Sequence, residues 1–303
     1  METKVSSALR RNKEGCWLTR QLTILSGKGG TGKTSIAASF AVLAKKAVVA
    51  DCDVDAPDLY LLLKPEVIET QQFKGSKLAF IYQTECAKCG LCREKCAFGA
   101  IDSNLEVDAV ACEGCGVCTI ICPVNTVSLV GRVSGFSYIS KTKYGFMVHA
   151  MLNPSESNSG KLVTLVRQNA KGVAEKEKSE LIIIDGSPGI GCPVIASIAG
   201  VDAGLVITEP TLSGIHDLQR VLQLLEHFNV APFVCVNMYD INMDNTEKIL
   251  SVCREKSIDV LGCISFSPMV TEAMVKGQTI IEYSPRSAVA VEIENMWKQL
   301  NRF

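Results

Sequence analysis

Short aliphatic runs recur along the chain: QLTILS (21–26), AVVADCD (47–53), LIIID (181–185), GLVIT (204–208), FVCVN (233–237) and VLGCI (260–264). Each is too short for a helix and apolar without alternation, the pattern of strands covered on both faces. Between them lie TSIAASFAVLAKK, GIHDLQRVLQLLEHF and NTEKILSVCREK, whose apolar positions fall three and four apart as on one face of a helix. Strand–helix alternation predicts an α/β fold, a mostly parallel sheet flanked by helices. SAVAVEIENMWKQLNRF at the C-terminus puts Val289, Ile293, Met296, Trp297 and Leu300 on one face. Its charges, Glu292, Glu294, Lys298 and Arg302, are mixed rather than basic, so the helix is expected to dock on the core, not on a membrane.

The rhythm breaks over 81–124, a stretch rich in Cys and Gly that supplies no strand–helix unit. Its flanks, KLAFIY and TVSLV, read as strands that carry the chain out of the main fold and back. The domain reading is an N-terminal extension over 1–20, an α/β domain over 21–80 and 125–303, and a small α+β domain inserted at 81–124.

Composition narrows the function classes. With 303 residues, 47% hydrophobic, the chain can bury a sizeable core. A net charge of −1 without a basic stripe argues against a nucleic-acid partner, and no apolar run is long enough to span a membrane. Residues 1–20 contain twin arginines without the apolar stretch of an export signal. Eight of the 14 cysteines fall within 86–122 at metal-ligating spacing. Thiolates used in that way call for a reducing compartment, so the expected location is cytoplasmic.

After the first predicted strand comes SGKGGTGKTS (26–35). Gly27, Lys28, Gly29, Gly30, Thr31, Gly32, Lys33 and Thr34 fit G-x-x-x-x-G-K-[ST] between a strand and a helix, where backbone amides and the helix N-terminus face phosphates. Lys33 is expected on the β- and γ-phosphates and Thr34 on Mg²⁺, with Ser35 next to it at the same helix start. The expected cofactors are ATP and Mg²⁺.

The second lysine, Lys28, makes KGGTGK resemble the loop of the MinD/ParA/Mrp family of P-loop ATPases, which also includes the nitrogenase iron protein. The resemblance runs from about Gln21 to the C-terminus, interrupted by the insert. It implies that Lys28 reaches across a nucleotide-sandwiched dimer, formed with a second copy or a related ATPase, to the partner's phosphates. It implies further that Asp53 in DCDVDAP is a switch aspartate holding Mg²⁺ water or orienting the attacking water. Asp185 in IIIDGSPG becomes the Mg²⁺-associated acid of a second switch, and Asn237 a contact to adenine. Asp51 and Asp55 remain open between such roles and plain solvation. Asn237 and Asp240 also spell the N-x-x-D of guanine-reading loops, with Met238 in place of the usual lysine; the resemblance of the glycine-rich loop favours ATP, with GTP as the alternative.

Cys86, Cys89, Cys92 and Cys96 recur 26 residues later as Cys112, Cys115, Cys118 and Cys122. Each quartet is C-x₂-C-x₂-C-x₃-C, the bacterial ferredoxin run in which the fourth cysteine ligates the other cluster. Two [4Fe–4S] clusters are expected, one on Cys86, Cys89, Cys92 and Cys122, the other on Cys112, Cys115, Cys118 and Cys96. Structural zinc, which favours paired knuckles around a longer loop, fits tandem quartets badly. The arrangement resembles the branch of the family that carries an inserted ferredoxin domain. Cys192, seven residues after Asp185, stands where the nitrogenase iron protein has a bridging ligand, or is an ordinary thiol.

The leading expectation is an ATP-hydrolysing iron–sulphur protein that couples nucleotide-dependent dimerisation to electron transfer to a protein acceptor. The alternatives are an Mrp-like ATPase that loads clusters into an apo-protein client, and a MinD-like spatial regulator.

Overall fold

A computed structural model of the chain describes residues 19–154, 156 and 159–300. The extension expected over 1–20, with Cys16, therefore lies outside the described residues except for Thr19 and Arg20, as does Arg302. In chain order the elements are β1 (Arg20–Leu25), α1 (Lys33–Ala44), β2 (Val48–Asp51), α2 (Leu59–Leu63), β3 (Glu66–Phe73), β4 (Ser76–Ile81), α3 (Leu91–Glu94), α4 (Val117–Ile120), β5 (Val127–Arg132), β6 (Gly135–Thr142), β7 (Gly145–Leu152) and α5 (Ser159–Glu177). There follow β8 (Leu181–Asp185), α6 (Cys192–Ile198), β9 (Ala203–Thr208), α7 (Leu212–His227), β10 (Ala231–Asn237), α8 (Met243–Glu255), β11 (Asp259–Ile264), α9 (Pro268–Val275), α10 (Ile280–Tyr283) and α11 (Ala288–Leu300). They form two compact units. Of the described residues, the first takes in 19–70, 138–150 and 159–300, and the second 71–137, 151–154 and 156.

In the first unit the sheet runs β11-β10-β9-β1-β8-β2-β7-β6-β3. Pairing is parallel from β11 through β7. Side chains along β1 show why its sequence is apolar on both faces. Leu22 and Ile24 enter a core shared with Ile36 and Phe40 of α1 and Ile293 and Met296 of α11. Thr23, between them, points the other way and donates from Oγ1 to the Ser197 carbonyl of α6 at 2.9 Å. Alternate residues of one strand thus meet helices on opposite faces of the sheet. The apolar face of α11 lies in this core as expected: Val289, Ile293, Met296, Trp297 and Leu300 are all buried, and Trp297 meets Phe40 with ring centroids 5.2 Å apart.

The second unit is wider than 81–124. β4 and β5, expected to lead out of and back into the main fold, pair antiparallel with one another from Ser76↔Arg132 to Ile81↔Val127. On this two-stranded sheet sit α3, α4 and a bridge between Ile101 and Val107. The core is small: Ala79, Ile81, Ala100, Ile101, Leu105 and Val127, together with Cys92 and Cys112. Cys86, Cys96, Cys118 and Cys122 pack against it. A core in which thiols replace so much hydrocarbon is typical of small units stapled by metal or disulfide, and all six of these cysteines are free.

Candidate functional site

The ends of β1, β2 and β8 meet at the glycine-rich loop. Gly186 N donates to the Ile24 carbonyl and Gly189 N to the Ser26 carbonyl, both at 2.9 Å. Cys52 N donates to the Asp185 carbonyl at 2.8 Å, and Ser187 Oγ to the Cys52 carbonyl at 2.6 Å. These bonds tie both segments read as switches to the loop. The loop itself is braced by Asn237, whose Nδ2 donates to the Thr31 carbonyl at 2.8 Å. That contact explains Gly32: its φ is +88°, and a Cβ there would stand 2.5 Å from Asn237 Nδ2. In this structure Asn237 shapes the loop.

α1 begins at Lys33 with no side-chain cap and no acid in its first turn. Its N-terminal amides and positive dipole end are left for an anion. Lys33 is 5% exposed and pairs with Asp185, 1% exposed. Burial works against the Lys33 ammonium, but Asp185 outweighs it and holds the group above its ordinary range. Asp51 stands beside Asp185 in register on the adjoining strand and is itself 1% exposed. Burial, with Asp185 acting in the same direction, pushes its carboxyl well above the usual range. Asp53 is half-buried, its carboxyl raised chiefly by burial, and its amide donates to Asp51 Oδ1 at 3.1 Å.

Asp51, left open between a role and solvation, is thus a buried member of the site, while Asp55 is exposed. The available signal was positional: Asp51 closes VVAD as Asp185 closes LIIID. Among the described residues, Asp51 Oδ2, Asp185 Oδ2 and Thr31 Oγ1 are buried without a hydrogen-bond partner. Buried, unsatisfied oxygens beside an uncapped helix start fit a phosphate with a hard cation, which prefers oxygen ligands. Thr34 adds its hydroxyl at 3.5 Å from Lys33 Nζ. Ser35 instead donates to Met274 Sδ at 3.3 Å. Lys28 pairs with Glu209, and its Nζ lies 3.3 Å from Ser213 Oγ, both at the approach to α7 and invisible to local sequence.

The cysteines of the second unit line two separate cavities. One is bordered by Cys86, Cys89, Cys92 and Cys122 together with Thr126. The other is bordered by Cys112, Cys115, Cys118 and Cys96 together with Ala100. Each cavity draws three thiols from one quartet and the fourth from the other. Among the described residues, no three His, Cys, Asp or Glu side chains converge as ligands of a single metal ion. Thiols arranged around a cavity suit a polynuclear group, whose ligands bind different iron atoms. Gly114 is required by packing, since a Cβ there would lie 2.3 Å from the Lys77 carbonyl oxygen. Outside this unit, Cys52, Cys235 and Cys253 are buried, Cys263 is half-buried, and Cys192 is exposed at the start of α6.

A parallel sheet with a phosphate-type loop between β1 and α1, facing acids at the ends of β2 and β8, defines a P-loop nucleotide-binding protein. The chain belongs to the CbiA family, the CobQ/CobB/MinD/ParA nucleotide binding domain, which matches residues 22–280. It is similar to an uncharacterized protein of Methanocaldococcus jannaschii, 38% identical over 231 residues, covering 74% of this chain and 80% of the other. A 50-residue stretch, 16% of this chain, is 36% identical to pyruvate synthase subunit PorD of Methanothermobacter marburgensis, covering 62% of that protein. Among solved structures, the septum site-determining protein MinD of Pyrococcus horikoshii, complexed with Mg-ADP, shares the fold. Its TM-score is 0.59 at 16% identity, covering 93% of this chain and 96% of the other.

Proposed function

We propose that the chain is an Mg²⁺-dependent ATPase whose second unit carries two [4Fe–4S] clusters, and that nucleotide-dependent dimerisation is coupled to electron transfer through them. The observation that carries the cluster reading is the crossing of the two quartets, one thiol-lined cavity for each ferredoxin-type ligand set. Segment 81–124 is then the ligand-bearing insert of the ATPase. Such thiolates function in a reducing compartment, hence a cytoplasmic protein.

In the ATPase unit, Lys33 exchanges its pairing with Asp185 for the β- and γ-phosphates, and the amides at the start of α1 hold the phosphate oxygens. Thr34 and the unpartnered carboxyl oxygens of Asp185 and Asp51 would hold Mg²⁺, which would neutralise developing charge. Asp53 orients water at the γ-phosphate. Lys28 leaves Glu209 and Ser213 to reach the partner's phosphates across a dimer of two copies, or of this chain with a related ATPase. The redox partner is a protein acceptor. If the clusters are instead cargo, it is an apo-protein client.

Family membership itself favours a second reading, a MinD-like spatial regulator. No described helix is long and apolar enough to cross a membrane, and the apolar face of α11 is inside the core. ATP-driven binding to liposomes would favour that reading.

The test is a redox titration with and without a non-hydrolysable ATP analogue, in wild type and Lys28→Ala. Coupling requires nucleotide to bind the oxidised and reduced forms with different affinity, and linkage makes the effect reciprocal. Wild type is expected to dimerise on the analogue and to lower its potential, because phosphate charge disfavours an added electron. Lys28→Ala is expected to bind the analogue with neither effect. Superimposable wild-type curves would contradict the coupling.

A further inference from the structure

We infer that the two thiol sites hold their clusters at different potentials, the Cys86–Cys89–Cys92–Cys122 site the higher, and that Thr126 sets much of the difference. The inference rests on the two-cluster reading above. It starts from the internal repeat, which extends beyond the cysteines. A shift of 26 residues carries Gly90 onto Gly116, Lys88 onto Gly114, Ala100 onto Thr126 and Ile101 onto Val127. The backbones follow: Gly90 and Gly116 start α3 and α4 at φ +72° and +82°, and Lys88 and Gly114 share the left-handed region at +52° and +64°. Two sites built on one backbone pattern differ through the side chains placed around them.

The clearest difference is one buried hydroxyl. Thr126 is 2% exposed, and it lines the cavity of Cys86, Cys89, Cys92 and Cys122. Its amide donates to Cys122 Sγ at 3.4 Å and its hydroxyl lies 3.5 Å from the same sulphur. When Cys122 ligates as a thiolate, the sulphur can only accept, so both groups donate. The repeat-related residue in the other cavity is Ala100, also 2% exposed, which has no hydroxyl to offer. At the first site, Lys88 N also donates to Cys86 Sγ at 3.4 Å.

Charge acts in the same direction. Residues 85–95 contain Lys88, Arg93 and Lys95 against Glu85 and Glu94, whereas 111–121 contain Glu113 and no cation. Reduction adds negative charge that spreads onto the ligating sulphurs, so hydrogen-bond donors and cations favour the reduced cluster and raise its potential. Lys95 and Glu94 pair with each other in solvent and count for little, leaving the buried Thr126 hydroxyl as the main lever. An electron supplied by a low-potential one-electron donor then comes to rest at the Cys86 site, and the Cys112 site passes it on.

The experiment is an anaerobic redox titration of the intact chain followed by EPR, on wild type, Thr126→Val, Thr126→Ser and Ala100→Ser. Wild type is expected to reduce in two separated one-electron steps. Thr126→Val keeps the shape and removes the donor, and is expected to shift the upper step about tenfold in its equilibrium, about 59 mV downward, without moving the lower. Thr126→Ser is expected to keep the wild-type value, and Ala100→Ser to raise the lower step. A Thr126→Val titration in which neither step moves, or the lower one does, with both clusters present, would overturn this inference and leave the two-cluster reading intact. An anaerobic preparation without iron would overturn both.

Discussion

Replacing Lys33 with methionine is expected to abolish nucleotide binding and also to destabilise the nucleotide-free protein by about 3 kcal/mol. The first effect follows from removing the phosphate contact. The second follows from burial: Lys33, Asp51 and Asp185 are 5%, 1% and 1% exposed, and Lys33 is the ion-pair partner of Asp185. Without it a carboxylate is left buried beside a second carboxyl, with no cation to offset its desolvation. Lys33→Met combined with Asp185→Asn removes that charge and is expected to recover most of the stability but none of the nucleotide affinity. Urea unfolding and titration with a fluorescent nucleotide separate the two effects. An unchanged midpoint in Lys33→Met would show that the buried pair does not matter in the nucleotide-free state.

Cys122→Ser is expected to remove the cluster on the first quartet although Cys122 belongs to the second. Double variants test the crossing better than single ones, because members of one ligand set act as a unit. Cys89→Ser with Cys122→Ser should lose no more iron than either alone, about half the total. Cys115→Ser with Cys122→Ser should lose both clusters. The opposite pattern, in which Cys115 and Cys122 behave as one set, would place each cluster within its own quartet.

What could be read from the chain depended on how far each signal reaches. β8, β9, β10 and β11 are short aliphatic runs, and their positions were legible within two residues. β6 was not, because GFSYISKT buries Ser137 and Ser140 and lacks an apolar signature. β3 is exposed along most of its length, so burial left no mark there. β4 and β5 were legible as strands, but their pairing links residues about fifty apart, which local pattern cannot show. The glycine-rich loop and the two cysteine quartets stood out in the sequence because each has a fixed spacing. Asp51 was underrated because a strand-end aspartate looks the same whether it meets water or Asp185. Asn237 was singled out through a family resemblance as an adenine contact; its bond to the Thr31 carbonyl is a bond across the fold that local sequence could not show. The partners of Lys28, far along the chain at Glu209 and Ser213, could only come from the fold.

The most direct measurement of the central claim is iron and acid-labile sulphide counting on protein purified without oxygen, with EPR of the reduced sample. Two cubanes predict about eight iron and about eight sulphide per chain, with signals from two [4Fe–4S]⁺ centres after reduction. One or two zinc ions per chain with no labile sulphide would contradict the account and leave the second unit as a structural module on a nucleotide-binding protein.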